Sequence, residues 1–257
     1  MNGNLKISLA CRSIIGSREE QQDYIDYSVV NNNLIAAVCD GMGGLKMGSL
    51  ASYVTVKSLF SLFRKKEASE TIPDFFLNII DILDEKVCSL VDENGDASNA
   101  GTTISAICIS GNILYWLSVG DSRIYILRGN ELEAATRDHN YRLFLDKMLE
   151  NGSITQEHYQ QELPRAEALV SFIGKGGIEI MDINNGFRLQ NNDIILITSD
   201  GLYKNLSNES IKHCINSSSS VEEAADRLIE LSEIKNHSSS DNVSFILIKT
   251  EAESNET

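Results

Sequence analysis

Positive charge is scarce in this sequence. Lys and Arg together number 22 against 37 Asp and Glu, giving a formal net charge of −15 and a pI near 4.7. Binding along a phosphate backbone depends on neutralising phosphates with Lys and Arg, so nucleic acid and anionic membrane surfaces are poor partners. Paired cysteines are also lacking: the five present, Cys11, Cys39, Cys88, Cys108 and Cys214, are scattered and never form a C-x-x-C pair. Disulfides and structural zinc are disfavoured, and Cys39 and Cys108, inside apolar runs, read as small buried hydrophobes in a reducing compartment. The first residues, MNGNLKISLACRSIIG, lack the basic-then-apolar layout of a signal peptide, and no apolar run approaches the ~20 residues that span a bilayer. A cytoplasmic location is the expectation.

Familiar phosphate and metal motifs are missing too. DGMGGLKMGS matches neither GxxxxGK[ST] nor GxGxxG. DENGDAS lacks the late glutamate of a calcium loop and reads as a solvated turn. His139, His158, His213 and His237 stand apart in sequence and read as surface or capping residues.

What is present is enough apolar material, 42% of 257 residues, for a sizeable core. Apolar and β-branched runs at 24–30, 34–39, 102–109, 113–119, 122–128, 193–198 and 242–249 predict strands. Ser110-Gly111-Asn112 and Arg128-Gly129-Asn130 sit at hairpin spacing, which favours antiparallel pairing. Helical spacing covers 46–64, 73–91 with Pro73 opening it, and 221–235. Strands in runs with helices in blocks predict packed sheets with helices outside them. Residues 140–177 break the strand rhythm with weaker helical pieces and the glycine-rich GKGG turn, as an inserted flap would. Residues 1–250 then form a single domain and 251–257 a flexible tail.

Two strands deliver an aspartate followed by glycine: LIAAVCDG ends on Asp40 and Gly41, and DIILITSDG on Asp200 and Gly201. Asp121 follows the run 113–119, Asp241 precedes the last run, and Asp23 stands at the entrance to the run 24–30. An unpaired carboxylate beside apolar packing is expensive unless a cation meets it. Any one of these aspartates alone reads as a turn residue. Together, with oxygen donors and without His or Cys at zinc spacing, they suit hard cations such as Mg²⁺ or Mn²⁺. A two-metal site of this kind points first to hydrolysis at phosphorus.

The motifs REEQQD (18–23), DGMGG with GSLAS (40–44 and 48–52), GTT (101–103), VGDSRIY (119–125), TRDH (136–139), SDGL (199–202) and DNVS (241–244) occur in this order. On them the chain resembles the metal-dependent protein phosphatases of the type 2C family, most of all a bacterial-type serine/threonine phosphatase, over residues 10–248. The resemblance implies an α+β fold, a four-layer αββα sandwich of two packed antiparallel sheets flanked by helices. It implies hydrolysis of phosphoserine and phosphothreonine by a metal-activated water, with no covalent phosphoenzyme. The cofactors implied are Mn²⁺ or Mg²⁺, two core ions and a weaker third. Carried over by position, Asp23 supports the first ion, Asp40 bridges both, the Gly41 carbonyl joins the second, and Asp200 and Asp241 hold the first. Asp121 with Asp200 would hold the third, and Arg18 would bind substrate phosphate; Arg18, Asp40 and Asp200 form the catalytic set.

Two departures stand out: Gln21 replaces the Asn usual in bacterial relatives, and Met42 stands where some members carry a histidine proposed as the acid. Phosphorylated proteins, the products of a serine/threonine kinase, are the implied partners of a monomeric enzyme. A catalytically weak phosphoprotein-binding or regulatory module of the same fold, a small-molecule phosphoesterase and a nuclease are the rival readings; charge disfavours the last, and the retained carboxylates the first.

Overall fold

The computed structural model describes residues 5–43, 47–235 and 241–252. Gly44, Lys46, residues 237–240 and the tail beyond 252 lie outside them. The chain opens with β1 (Leu5–Ile14), then β2 (Asp23–Val30) and β3 (Asn33–Met42), followed by α1 (Met47–Arg64) and α2 (Ile72–Cys88). Next come β4 (Gly101–Thr102), β5 (Ile104–Ser110), β6 (Ile113–Val119), β7 (Arg123–Arg128) and β8 (Glu131–Ala134). Helices α3 (Arg142–Glu150) and α4 (Gln156–Glu162) and the short strands β9 (Asp182–Ile183) and β10 (Phe187–Arg188) lead to β11 (Ile194–Thr198). The described chain closes with α5 (Asp200–Tyr203), α6 (Asn208–Asn216), α7 (Val221–Lys235) and β12 (Val243–Ala252).

Two antiparallel sheets result. One runs β1-β12-β11-β7-β8; the other runs β10-β6-β5-β3-β2, with β4 added on β3 and β9 on β6. Successive side chains of a strand point to opposite faces, and here both faces are buried. In β3, Ile35, Ala37 and Cys39 pack with Val56, Leu59, Phe76 and Leu83 of α1 and α2, whereas Leu34, Ala36 and Val38 face Ile195, Ile197, Ile246 and Ile248 of the other sheet. On the far side, Tyr125, Leu196, Phe245 and Leu247 pack under Ile211, Cys214, Ala225 and Leu228 of α6 and α7. Three apolar layers between four structural layers make the expected αββα sandwich.

The hairpins follow the local chemistry. Asn31 and Asn32 turn β2 into β3 with φ of +51° and +61°, the left-handed pair that a two-residue hairpin needs and Asn tolerates. Ser110 pairs with Ile113 across the β5–β6 turn, and Arg128 with Glu131 across β7–β8, both antiparallel as the spacing predicts. Thr71 caps α2 by accepting a hydrogen bond from the Asp74 N–H, with Pro73 in the first turn. That helix ends at Cys88, short of the predicted 91, and the predicted strand 102–109 is broken at Thr103. Among the described residues no helix is long and apolar enough to cross a membrane.

Candidate active site and metal centre

The carboxylates come from one end of both sheets. Asp23 and Asp40 face each other across β2 and β3 of one sheet, Asp200 follows β11 and Asp241 precedes β12 in the other, and Asp121 lies where the chain crosses between sheets from β6 to β7. Like charges opposite one another destabilise a ladder, so the Asp23–Asp40 pairing answers to something other than sheet stability. Asp40, Asp121, Asp200 and Asp241 line an open cleft of about 840 Å³, with Arg18, Gly41, Met42 and Lys204 on its walls.

The motif residues around the aspartates act as fasteners. Thr103 holds the Asp40 backbone from both sides, its N–H donating to the Asp40 carbonyl at 2.9 Å and its Oγ1 accepting from the Asp40 N–H at 2.9 Å. Thr102 Oγ1 donates to the same carbonyl at 2.9 Å. The break in the strand at Thr103 thus frees GTT to grip the end of β3. Asn242 ties down the loop carrying Arg18: its Nδ2 donates to the carbonyls of Ile15 and Glu20, and its Oδ1 accepts from the Gln22 N–H at 2.8 Å. Gln21 accepts from the Asp23 N–H and donates to Ser13 and Ile14, so the residue that departs from the family pattern anchors the loop rather than leaving it slack. Thr102, Thr103, Ser199 and Asn242 were legible only as motif letters, because their roles are backbone contacts.

Glycine after a strand-ending aspartate lets the backbone approach a ligand. The structure gives a nearer reason: a Cβ on Gly41 would meet the Gly48 carbonyl at 2.1 Å, and one on Gly201 the Asn242 carbonyl at 2.0 Å. Close packing of protein backbone requires glycine at both positions.

The electrostatics are those of a site in which negative charge outweighs positive. Burial first, then the charges of Asp23, Asp200, Asp121 and Asp241, push the Asp40 carboxyl well above the ordinary carboxylate range. Burial likewise raises Asp23, against the opposing hydrogen bonds of Ser199 and Ser244. Asp121 is raised to about 6 by burial and the nearby Asp200, with Lys204 opposing. Ser199 Oγ donates to Asp23 Oδ2 at 2.7 Å, yet Asp23 Oδ1 and Asp200 Oδ1 are buried and meet no donor among the described residues. Buried carboxylate oxygens without donors are acceptors that a bound cation would satisfy. The oxygen-only donor set therefore fits hard divalent ions at Asp23, Asp40, Asp200 and Asp241.

Two cations of the chain already touch this set. Arg18 pairs with Asp241 at 2.8 Å, rather than with the neighbouring Glu19 or Glu20. Lys204 Nζ lies 2.5 Å from Asp200 Oδ2 and 3.7 Å from Asp121 Oδ2. Among the described residues no three acidic, thiol or imidazole groups already close on one point as a finished cage. Between Asp121 and Asp200 in particular the ammonium stands where a third ion would sit, and that position does not fit one.

His139 corrects a sequence expectation. It is fully buried, not a surface residue: its Nδ1 accepts from the Gly120 N–H at 3.1 Å and its own N–H donates to the Gly120 carbonyl, bracing the turn that carries Asp121. His158 and His213 are exposed as expected, and His237 lies outside the described residues. The segment 140–177 contains α3 and α4 and brings Glu167, Leu169 and Phe172 to the cleft. Its GKGG turn is fastened by a buried carboxylate, Asp84 of α2, which accepts backbone N–H bonds from Gly174, Lys175, Gly176 and Gly177 at 2.6, 3.0, 3.4 and 2.7 Å.

Comparison with known proteins agrees with this geometry. The family model described as Protein phosphatase 2C matches residues 12–235. A putative protein phosphatase 2C-type of Streptococcus pyogenes is 28% identical over 254 residues, covering 97% of this chain and 99% of the relative. Among solved structures, the S. agalactiae serine/threonine phosphatase superimposes with a TM-score of 0.82 at 27% identity, over 95% of this chain and 99% of its own. The catalytic domain of the serine/threonine protein phosphatase PstP, in complex with two manganese ions, gives a TM-score of 0.74 at 26% identity over 96% and 99%. The chain belongs to the protein phosphatase 2C family.

Proposed function

We propose that this chain is a divalent-metal-dependent phosphatase, cytoplasmic and monomeric, that removes phosphate from phosphoserine and phosphothreonine of proteins phosphorylated by a serine/threonine kinase. The observation that carries the reading is the meeting of five aspartates at one sheet end, two of them with a buried oxygen that meets no donor among the described residues. Asp23, Asp40, Asp200, Asp241 and the Gly41 carbonyl would hold two Mn²⁺ or Mg²⁺ ions, and PstP with its two manganese ions supports that count by analogy. Such ions supply Lewis-acid activation of water and charge neutralisation at phosphorus.

The chain's own residues do the rest. Asp40, whose carboxyl is pushed upward by burial and by the neighbouring aspartates, is held by Thr102 and Thr103 so that its position does not relax when its charge is neutralised. Arg18 is 60% exposed in its side chain and paired only weakly at the cleft mouth, which leaves its planar fork free to exchange Asp241 for two phosphate oxygens. Met42 carries no proton to give, so the leaving oxygen takes its proton from the water of the cleft rather than from that side chain. The segment 140–177 would act as a flap over one wall, where its Glu167 and Phe172 line the cleft that the peptide would enter.

The experiment compares phosphate release from a phosphothreonine peptide, from a small phosphomonoester and from a phosphodiester under Mn²⁺. Hydrolysis of the peptide well ahead of the other two supports the reading. Preference for the diester would contradict it, and equal turnover of the small monoester would make the chain a general phosphoesterase.

A further inference from the structure

We propose that the Lys204 ammonium is a built-in cation filling the position between Asp121 and Asp200, so that this chain operates with two divalent ions and takes up no third. The proposal rests on the metal-dependent reading above and concerns a residue outside the seven motifs. Lys204 lies just past α5, one turn beyond Asp200, and its Nζ meets Asp200 Oδ2 at 2.5 Å and Asp121 Oδ2 at 3.7 Å.

Its placement is fixed by more than that ion pair. The Lys204 backbone N–H donates to the Asp200 carbonyl at 2.9 Å. The preceding residue, Tyr203, donates its hydroxyl to the Asp121 backbone carbonyl at 2.9 Å. The Tyr203 ring in turn lies 3.6 Å from the Arg123 guanidinium, which is held by Asp138 through two bonds of 2.7 and 2.6 Å. Consecutive residues therefore bind the Asp121 turn, one through its backbone and one through its carboxylate. These contacts hold the backbone of the segment against the Asp121 turn, which keeps the 43%-exposed Lys204 side chain within reach of both carboxylates.

The two oxygens of Asp200 divide the work. Oδ2 is taken by Lys204, while Oδ1 is buried and meets no donor among the described residues. One oxygen serves the tethered cation and the other remains for the core ions. A tethered ammonium is present at a high effective concentration at no metal cost, whereas a free ion must compete with it across a few ångströms of like charge. A third divalent ion would have to expel Lys204 before reaching both carboxylates.

Calorimetry and native mass spectrometry with Mn²⁺ test this on the full chain, alongside circular dichroism to confirm folding. The parent and Lys204→Arg should bind two ions up to millimolar Mn²⁺. Lys204→Met should bind a third, weaker ion at least about tenfold more tightly than any third uptake by the parent, and adding Asp121→Asn to Lys204→Met should abolish it. A third ion in the parent that disappears on Asp121→Asn would overturn the proposal while leaving the two-metal reading intact. A count of two in Lys204→Met would overturn it equally. No ion bound by any of these proteins would overturn the metal-dependent reading and this proposal with it.

Discussion

In the metal-free protein, replacing Asp121 by asparagine should increase stability at pH 8. The side chain is 7% exposed, and burial with the neighbouring Asp200 raises its carboxyl to about 6 from 3.8. A shift of that size corresponds to about 3 kcal/mol of destabilisation by the ionised form, an upper figure because asparagine also loses the Lys204 contact. The sign follows from linkage: between the two values the native state holds a proton that the unfolded chain has lost, so stability falls as pH rises through this window. The penalty is complete above about pH 6, about half as large at pH 5 and gone below about pH 4. Differential scanning calorimetry in chelator should show the Asn variant melting roughly 4–10 °C higher at pH 8 and only a few degrees higher at pH 5. Equal melting temperatures at pH 8, or a difference that does not shrink on acidification, would refute the argument that Asp121 is ionised against its surroundings.

Two further substitutions separate binding from architecture. Arg18→Ala should raise KM for a phosphothreonine peptide by about 10–100-fold with a smaller fall in kcat, the loss expected for a charge-assisted contact made in the ground state; an unchanged KM would leave Arg18 as a surface partner of Asp241. Asp84→Asn replaces an acceptor of four backbone N–H groups by one with a single acceptor oxygen, and should lower stability by about 2–4 kcal/mol and quicken hydrogen exchange across residues 174–177; unaltered exchange there would show that the turn holds without its carboxylate.

The sandwich was legible because its central strands are buried on both faces, so 34–39, 106–109 and 194–197 appear as unbroken apolar runs. β1 was not legible: it lies at a sheet edge, half exposed along most of its length, and no apolar run marks it. β9 and β10 have two residues each, too few for any periodicity, and α6 buries only Ile211, Cys214 and Ile215. The aspartates could be found because a charge ending an apolar strand violates local patterning. What joins them could not, since Asp121 and Lys204 meet only through a crossover between sheets. His139 was misread for a related reason: TRDH is polar in sequence, and its burial follows from the Gly120 turn folding over it.

The central claim is that these carboxylates work only with divalent ions. Purified chain, stripped by chelator, should release no phosphate from a phosphothreonine peptide and should regain turnover on addition of Mn²⁺ or Mg²⁺, while Asp40→Asn under the same conditions stays inactive. Full turnover by the stripped protein, or undiminished turnover by Asp40→Asn, would contradict the account.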